Sequence, residues 1–181
     1  LNRWLGCIEN PRTGREAEYL RVELGRKHTT ATAAQRPDAG AKDVMVVGAG
    51  PAGLQAAISA ARHGHHVTVY EQQAQAGGQV RLAASVPNRA EFGDMIRNQL
   101  AECRRLGVVI EYGVAVWPGL VEEKSPDHVI VATGAEAQRP WWVQGDADHV
   151  CDVRDILANG ASFGPQTGDS VIVIDEIGFH H

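Results

Sequence analysis

The 181-residue chain has little cysteine, little positive charge and no long apolar run. Its three cysteines, Cys7, Cys103 and Cys151, are too few and too widely spaced for a disulfide framework, so we expect a reducing, cytoplasmic location. No apolar segment approaches the roughly 20 residues that a membrane-spanning helix needs, and the opening residues are too polar for a signal peptide. Because the net charge is −5, we also expect no nucleic-acid-binding surface.

One segment stands out, VVGAGPAGLQAA at residues 46–57. Residues 44–47 are a short apolar run, typical of a strand that is buried on both faces. Apolar residues at helical spacing follow over residues 51–63, and Gly64 is placed to end that helix. Since residues 67–70 predict a second strand, the whole has the size of a βαβ unit. We therefore predict an α/β, Rossmann-type fold with a parallel sheet.

Three glycines in this segment have the G-x-G-x-x-G spacing of a dinucleotide-binding turn. Gly48 permits a tight turn after the strand, Gly50 lets the backbone approach a pyrophosphate, and Gly53 lets helix and strand pack closely. Pro51 suits the first helical turn, whose free N–H groups attract phosphate. Glu71, at the end of the second predicted strand, is placed to accept hydrogen bonds from an adenosine ribose. The pattern predicts a dinucleotide site and leaves NAD and FAD open.

The remainder of the chain contains a second predicted helix and three more predicted strands. Asn88 and Glu91 have the spacing of a capping box, before an amphipathic helix that ends near Gly107. The apolar runs that predict strands are residues 108–112, 129–131 and 171–174.

Two further segments, QAGGQV at residues 75–80 and VIVATGA at residues 129–135, have small residues that let the chain pass close to a cofactor. With the glycine motif, they resemble the FAD domain of the two-dinucleotide-domain flavoproteins. CIENPRTGRE, at residues 7–16, narrows the resemblance to multidomain relatives of old yellow enzyme. These relatives are the bacterial 2,4-dienoyl-CoA reductases and the trimethylamine, dimethylamine and histamine dehydrogenases.

The resemblance implies roles for individual residues. Val116 is implied to touch the adenine, and Cys7 to be the fourth ligand of an iron–sulfur cluster. Without three cysteines from other polypeptide, Cys7 is a free thiol. The residues implied to bind the cofactor, which is FAD or alternatively ADP, are Gly48, Gly50, Pro51, Ala52, Gly53, Glu71, Gln72, Gly78, Gln79, Val116, Ala132, Thr133 and Gly134.

The resemblance also implies a domain organisation. Residues 1–42 would connect to a missing FMN and iron–sulfur barrel, and residues 43–165 would be an incomplete FAD- or ADP-binding domain. Residues 166–181 would begin a degenerate second nucleotide-binding domain, because Asp175 and Ile177 stand where its glycines belong. That loss favours the amine-dehydrogenase branch over the nicotinamide-dependent reductases.

Two functions follow as expectations. The first is an FAD-binding segment of a flavin/iron–sulfur oxidoreductase that relays electrons to or from FMN on the missing barrel, with no catalytic residue on this chain. The second is an ADP-binding structural or docking module without a redox role. In both cases we expect an oligomer in which partner polypeptide carries the FMN barrel and the rest of the second domain, and covers the exposed apolar sheet edges. A stand-alone NAD-dependent dehydrogenase is disfavoured, because the sequence has no acid–base constellation.

Overall fold

A computed structural model describes residues 13–14, 40–136, 150–159 and 164–174. The chain divides into two compact units, Leu1–Ala135 and Glu136–His181. The described part of the first unit contains a sheet and four helices, and that of the second unit contains one helix, Val153–Asn159. None of the helices in the described ranges is long and apolar enough to cross a membrane.

Four parallel strands form one sheet in the order β3-β2-β1-β4. They are Asp43–Val47 (β1), His66–Glu71 (β2), Val109–Tyr112 (β3) and His128–Val131 (β4). In the centre of the sheet, Val46 of β1 is paired with Val69 of β2 and with Ile130 of β4. The predicted α/β, Rossmann-type fold with a parallel sheet is confirmed.

The helices of the first unit lie between these strands in the sequence. They are Pro51–Arg62 (α1), Gln79–Ser85 (α2), Phe92–Arg105 (α3) and Pro118–Lys124 (α4); Val153–Asn159 of the second unit is α5. Each of the two longer helices ends before a glycine with positive φ, +87° at Gly64 and +75° at Gly107. A residue with a Cβ rarely adopts this conformation, which explains why both helices end where the sequence predicts.

The core lies on both faces of the sheet because alternate residues of a strand point in opposite directions. On one face, Val44 and Val46 of β1 are buried with apolar residues of α1 and α3, among them Leu54 and Cys103. On the other face, Met45 is buried with Tyr70 and with Leu120 of α4.

An ion-pair network joins α1 to α3. Glu102 of α3 accepts hydrogen bonds from Arg105 on its own helix and from Arg62 at the end of α1, each with an Nη2–Oε1 distance of 2.7 Å. The Arg105 guanidinium is the main reason that the pKa of Glu102 falls from its ordinary 4.5 to about 2; Arg62 contributes, and partial burial opposes the fall.

Two sequence expectations are wrong. Residues 171–174 form no strand, and their side chains are 57 to 88% exposed. Their β-branched side chains favour extended backbone, but a strand also needs a partner strand. The expected capping box is also absent: Asn88 has φ of +61°, and the residue before α3 is Glu91, whose side chain makes no capping hydrogen bond. Successive turns between these two residues displace the start of the helix.

Candidate nucleotide-binding site

The turn after β1 is built around Gly48, as the glycine spacing predicts. Its backbone N–H donates to the carbonyl oxygen of Tyr70 at 2.8 Å, and its φ is +103°. A Cβ on Gly48 would lie 2.5 Å from the carbonyl oxygen of Ala132, the residue after β4. The loops after β1 and β4 therefore approach each other closely, and only glycine fits between them.

Gly53 and Gly50 have different surroundings. A Cβ on Gly53, in the first turn of α1, would lie 1.9 Å from the carbonyl oxygen of Gly48, so this glycine lets α1 pack on β1. A Cβ on Gly50, the N-cap residue of α1, would have no atom within 4 Å. Gly50 is therefore not needed for packing inside the protein, and the space in front of it remains open to a ligand.

The start of α1 is suited to an anion. Pro51 occupies the first position, no side chain caps the helix, and no acidic residue lies in the first turn. The first helical hydrogen bond runs from the N–H of Leu54 to the carbonyl oxygen of Gly50. The N–H groups of Ala52 and Gly53 precede it and have no partner within the helix. These N–H groups and the open space at Gly50 are both at the N-terminal end of α1. This arrangement fits the binding of a diphosphate.

Glu71 lies at the carboxyl end of β2 and is 6% exposed. Its Oε2 accepts a hydrogen bond of 2.7 Å from the N–H of Ala49, inside the glycine turn, and its Oε1 accepts one of 2.9 Å from the N–H of Gln73. Each carboxylate oxygen can accept more than one hydrogen bond, so these two bonds leave acceptor capacity on both oxygens. The predicted ribose residue thus also fixes the predicted diphosphate turn.

A second loop adjoins the glycine turn. The N–H of Gly77 donates to the carbonyl oxygen of Ala49 at 2.8 Å. Gly78, with φ of +52°, lies so close that a Cβ on it would be 3.5 Å from Cα of Gly50. Gln79, the first residue of α2, donates from Nε2 to the carbonyl oxygen of Ala135 at 2.8 Å.

A third loop follows β4. The N–H of Ala132 donates to the carbonyl oxygen of Val47 at 2.8 Å, which extends the pairing of β4 with β1. Thr133 and Gly134 are exposed, and Gly134 has φ of +78° with no atom within 4 Å of an added Cβ. These residues are therefore near the glycine turn and have open space beside them.

The loop after β3 runs beside the end of β2. The N–H of Val114 donates to the carbonyl oxygen of Glu71 at 2.9 Å. Val116 is partly buried against the cluster of Met45 and Tyr70, and Gln72 is exposed. Val116 and Gln72 thus belong to the loops that follow β3 and β2, and their predicted contact with the cofactor remains a prediction.

The predicted residues within the described ranges thus lie at the carboxyl end of the sheet, in the loops that follow the strands, at the end of β2 and in the first turns of α1 and α2. Some of the contacts are made by residues that were not predicted. Ala49, Gln73 and Gly77 contribute backbone N–H groups, and Ala49 and Ala135 contribute carbonyl oxygens. The sequence gives a signal for Gly77, because it is the first glycine of the Gly-Gly-Gln turn. The other three residues act through backbone atoms that any residue has. Cys7, Asp175 and Ile177 lie outside the described residues. In the part of the chain that the structure describes, no three His, Cys, Asp or Glu side chains are grouped to hold a metal.

A family model described as pyridine nucleotide-disulphide oxidoreductase matches residues 42–174, which include every loop of this site. The chain belongs to this family. With the fold and the glycine turn described above, membership makes it a flavoprotein domain of the FAD-binding Rossmann type within an oxidoreductase family. Family membership therefore supports FAD, where the glycine motif alone leaves NAD and FAD open.

Similar proteins confirm the resemblance to the old-yellow-enzyme relatives. The chain is 36% identical over 174 residues to a protein named probable N-methylproline demethylase from Rhizobium meliloti (strain 1021), covering 96% of this chain and 23% of that protein. It is 36% identical over 178 residues to an NADH oxidase from Thermoanaerobacter brockii, covering 96% of this chain and 25% of that protein. A solved 2-naphthoyl-CoA reductase complex aligns with a TM-score of 0.69 and 32% identity, covering 85% of this chain and 22% of that chain. The chain thus spans about a quarter of the length of these relatives.

Proposed function

We propose that this chain is the FAD-binding segment of a larger flavin/iron–sulfur oxidoreductase. The observation that carries the proposal is the link between Glu71 and the glycine turn. The Glu71 carboxylate is buried and bonded to the N–H of Ala49, while the adjacent Gly50 faces open space. A carboxylate for the ribose and a bare backbone for the diphosphate are therefore held side by side.

In this proposal, each part of the site holds one part of the cofactor. Glu71 accepts hydrogen bonds from the adenosine ribose, and the N–H groups of Ala52 and Gly53 donate to the diphosphate. Residues 132–134 and Gly78 border the space for the remaining half. Bound FAD supplies reversible electron transfer, and the protein supplies binding and orientation.

The chemistry on substrate is proposed to occur on other polypeptide. We assign no catalytic residue to this chain, and electrons are proposed to pass to or from FMN on a barrel, through an iron–sulfur cluster that includes Cys7. The exposed apolar side of β4 supports a partner, because Val131 is 72% exposed on a strand at the sheet edge of the described chain. We propose a cytoplasmic oligomer that supplies this polypeptide.

Two reaction classes are candidates for the larger enzyme, amine oxidation and nicotinamide-dependent reduction. The two relatives named above are a demethylase and an NADH oxidase, with equal identity to this chain. The sequence favours the first branch through Asp175 and Ile177, which is a prediction outside the described residues.

A second candidate function, an ADP-binding module without a redox role, is favoured by the asymmetry of the site. On the β2 side, buried Glu71 fixes the turn through two hydrogen bonds. On the β4 side, residues 133–135 are exposed. The adenosine half is therefore better enclosed than the other half.

The two candidates differ in what the protein retains. The full chain, incubated with FAD or with ADP and passed through gel filtration, would be tested by its visible flavin spectrum and by chromatography of released nucleotide. FAD binding at low micromolar concentration supports the first proposal, and ADP binding without FAD binding supports the second. Retention of neither nucleotide would contradict both. The barrel partner is tested separately, by mass spectrometry of the complex isolated from its source.

A further inference from the structure

Resting on the nucleotide-binding function proposed above, we propose that Gln79 is a positioning residue that allows the site to bind the whole of FAD rather than ADP alone. Its side-chain amide holds the loop at residues 132–135 beside the space for the riboflavin half. The residue does this through the protein backbone, since its Nε2 donates to the carbonyl oxygen of Ala135 at 2.8 Å.

The sheet order assigns the two halves of the ligand to opposite sides of β1. Glu71 marks the ribose side at the end of β2, and the diphosphate lies at the glycine turn after β1. The direction from the ribose to the diphosphate is thus from β2 to β1. A dinucleotide that continues in this direction reaches the end of β4, the other neighbour of β1. The loop after β4 is therefore beside the half that FAD has and ADP lacks.

Three loops, which follow β1, β2 and β4, surround the proposed diphosphate position and form a ring of contacts. They are called the first, second and third loop here, and Gln79 makes the contact between the second and the third. The first loop meets the second through the bond from the N–H of Gly77 to Ala49, and meets the third through the contact between Gly48 and Ala132. The second and third loops are joined by the Gln79 amide across 56 positions of sequence.

The loop after β4 has little else to hold it. Its first residue, Ala132, is bonded to Val47 of β1. For residues 133–135, the Gln79 amide provides the one hydrogen bond to another segment within the described ranges. Gly134 has positive φ and open space around it, so its backbone has more conformational freedom than other residues. Loss of the amide would therefore release this loop without disturbing the turn at Glu71.

The test compares Gln79→Met and Gln79→Glu with the control Gln75→Met in the full chain. Methionine keeps the length of the side chain without the donor, and glutamate places a carboxylate oxygen against the Ala135 carbonyl. Gln75 is an exposed glutamine in the same loop and has no part in the ring. Calorimetry measures the Kd of FAD and of ADP separately, and thermal unfolding without nucleotide reports on the fold.

We expect Gln79→Met to weaken FAD binding by about five- to tenfold, as for one lost hydrogen bond, and Gln79→Glu by at least as much. ADP binding should stay within about twofold for both variants, and Gln75→Met should change neither Kd. Equal loss of FAD and ADP affinity would show a general structural role and overturn the inference, as would unchanged FAD affinity. If the unsubstituted chain binds ADP and not FAD, the inference is wrong while the nucleotide site stands. If it binds neither, the proposed function fails.

Discussion

Alanine at Gly50 and at Gly53 should have opposite consequences, although the two glycines belong to one motif. At Gly50, φ is −75° and ψ is 179°, which alanine adopts readily, and the added Cβ meets no protein atom within 4 Å. The loss of up to about 1 kcal/mol from replacing an N-cap glycine is offset by about 0.4–1 kcal/mol from the stiffer unfolded chain. We therefore expect the free energy of unfolding without ligand to change by less than about 1 kcal/mol.

At Gly53 the added Cβ would lie 1.9 Å from the carbonyl oxygen of Gly48, whereas 3.0 Å is close to the shortest separation that real Cβ atoms show. The obstacle is backbone, so α1 and β1 must separate by a large fraction of an ångström or more. Overpacking of this kind destabilises the fold by about 3 kcal/mol. The higher helix propensity of alanine stabilises α1 by about 1 kcal/mol and offsets part of this loss. A net loss of about 2 kcal/mol corresponds to a Tm lower by about 5–7 °C in a domain of this size.

For ligand binding we expect Gly50→Ala, which barely changes the stability of the fold, to have the larger effect. The methyl group of Gly50→Ala occupies the open space that we assign to the diphosphate, and we expect it to weaken ADP binding by about ten- to a hundredfold. ADP at a hundred times its Kd stabilises a folded protein by about 2.7 kcal/mol, so the unsubstituted chain should show a clear rise in Tm on adding ADP. Gly50→Ala should lose about half or more of that rise, while its stability without ligand changes by less than about 1 kcal/mol.

The assay is thermal unfolding of the three proteins with and without ADP, supported by calorimetric Kd values. If Gly50→Ala binds ADP as tightly as the unsubstituted chain, then the diphosphate does not lie against Gly50 and the proposed site is wrong. If Gly53→Ala unfolds at the unchanged temperature, the close packing of α1 on β1 is wrong.

Three further predictions test the surroundings of the site and the fold. Glu71→Gln replaces a carboxylate oxygen by an amide that faces an N–H donor, so unfolding should become easier by about 1.5–3 kcal/mol in denaturant titrations; an unchanged midpoint would contradict the bond to Ala49. Glu102 has a pKa of about 2 in the folded chain, below its ordinary 4.5, so its ion pairs stabilise the fold above about pH 4.5 and lose this effect as pH falls through about 2. Glu102→Gln should therefore cost about 1 kcal/mol at pH 6 and almost nothing at pH 2; a difference that persists at pH 2 would show a role other than charge. Burial raises the pKa of the Cys103 thiol to about 11, so iodoacetamide should modify exposed Cys151 and leave Cys103 intact, as peptide mapping would show; rapid labelling of Cys103 in the folded chain would contradict its burial.

The sequence predicts the first βαβ unit well because several signals agree there. Strand β1 begins one residue before the predicted run, and α1 ends at Arg62, one residue short of prediction. Apolar periodicity, a proline at the start of the helix and Gly64 at its end all favour the same structure. The helices α2 and α4, each of seven residues, were not predicted. Two turns are too short for a helical period to stand out, and α2 follows a glycine pair that is also typical of a plain loop.

The site itself is only partly predictable because most of its contacts are made by backbone atoms. Gly48 and Gly53 could be assigned from spacing, since the absence of a side chain is visible in the sequence. The hydrogen bonds from Ala49 to Glu71, and from Gln79 to Ala135, join segments that are far apart in the chain and depend on parallel pairing of β1 with both neighbours. The same pairing explains why the two sides of the site differ: the β2 side receives a buried charged side chain, and the β4 side receives an exposed loop. If the proposed site binds nucleotide, ADP and FAD would meet the glycine motif through the same diphosphate. We therefore expect discrimination between them at the end of β4, where the loop is held by the fewest hydrogen bonds.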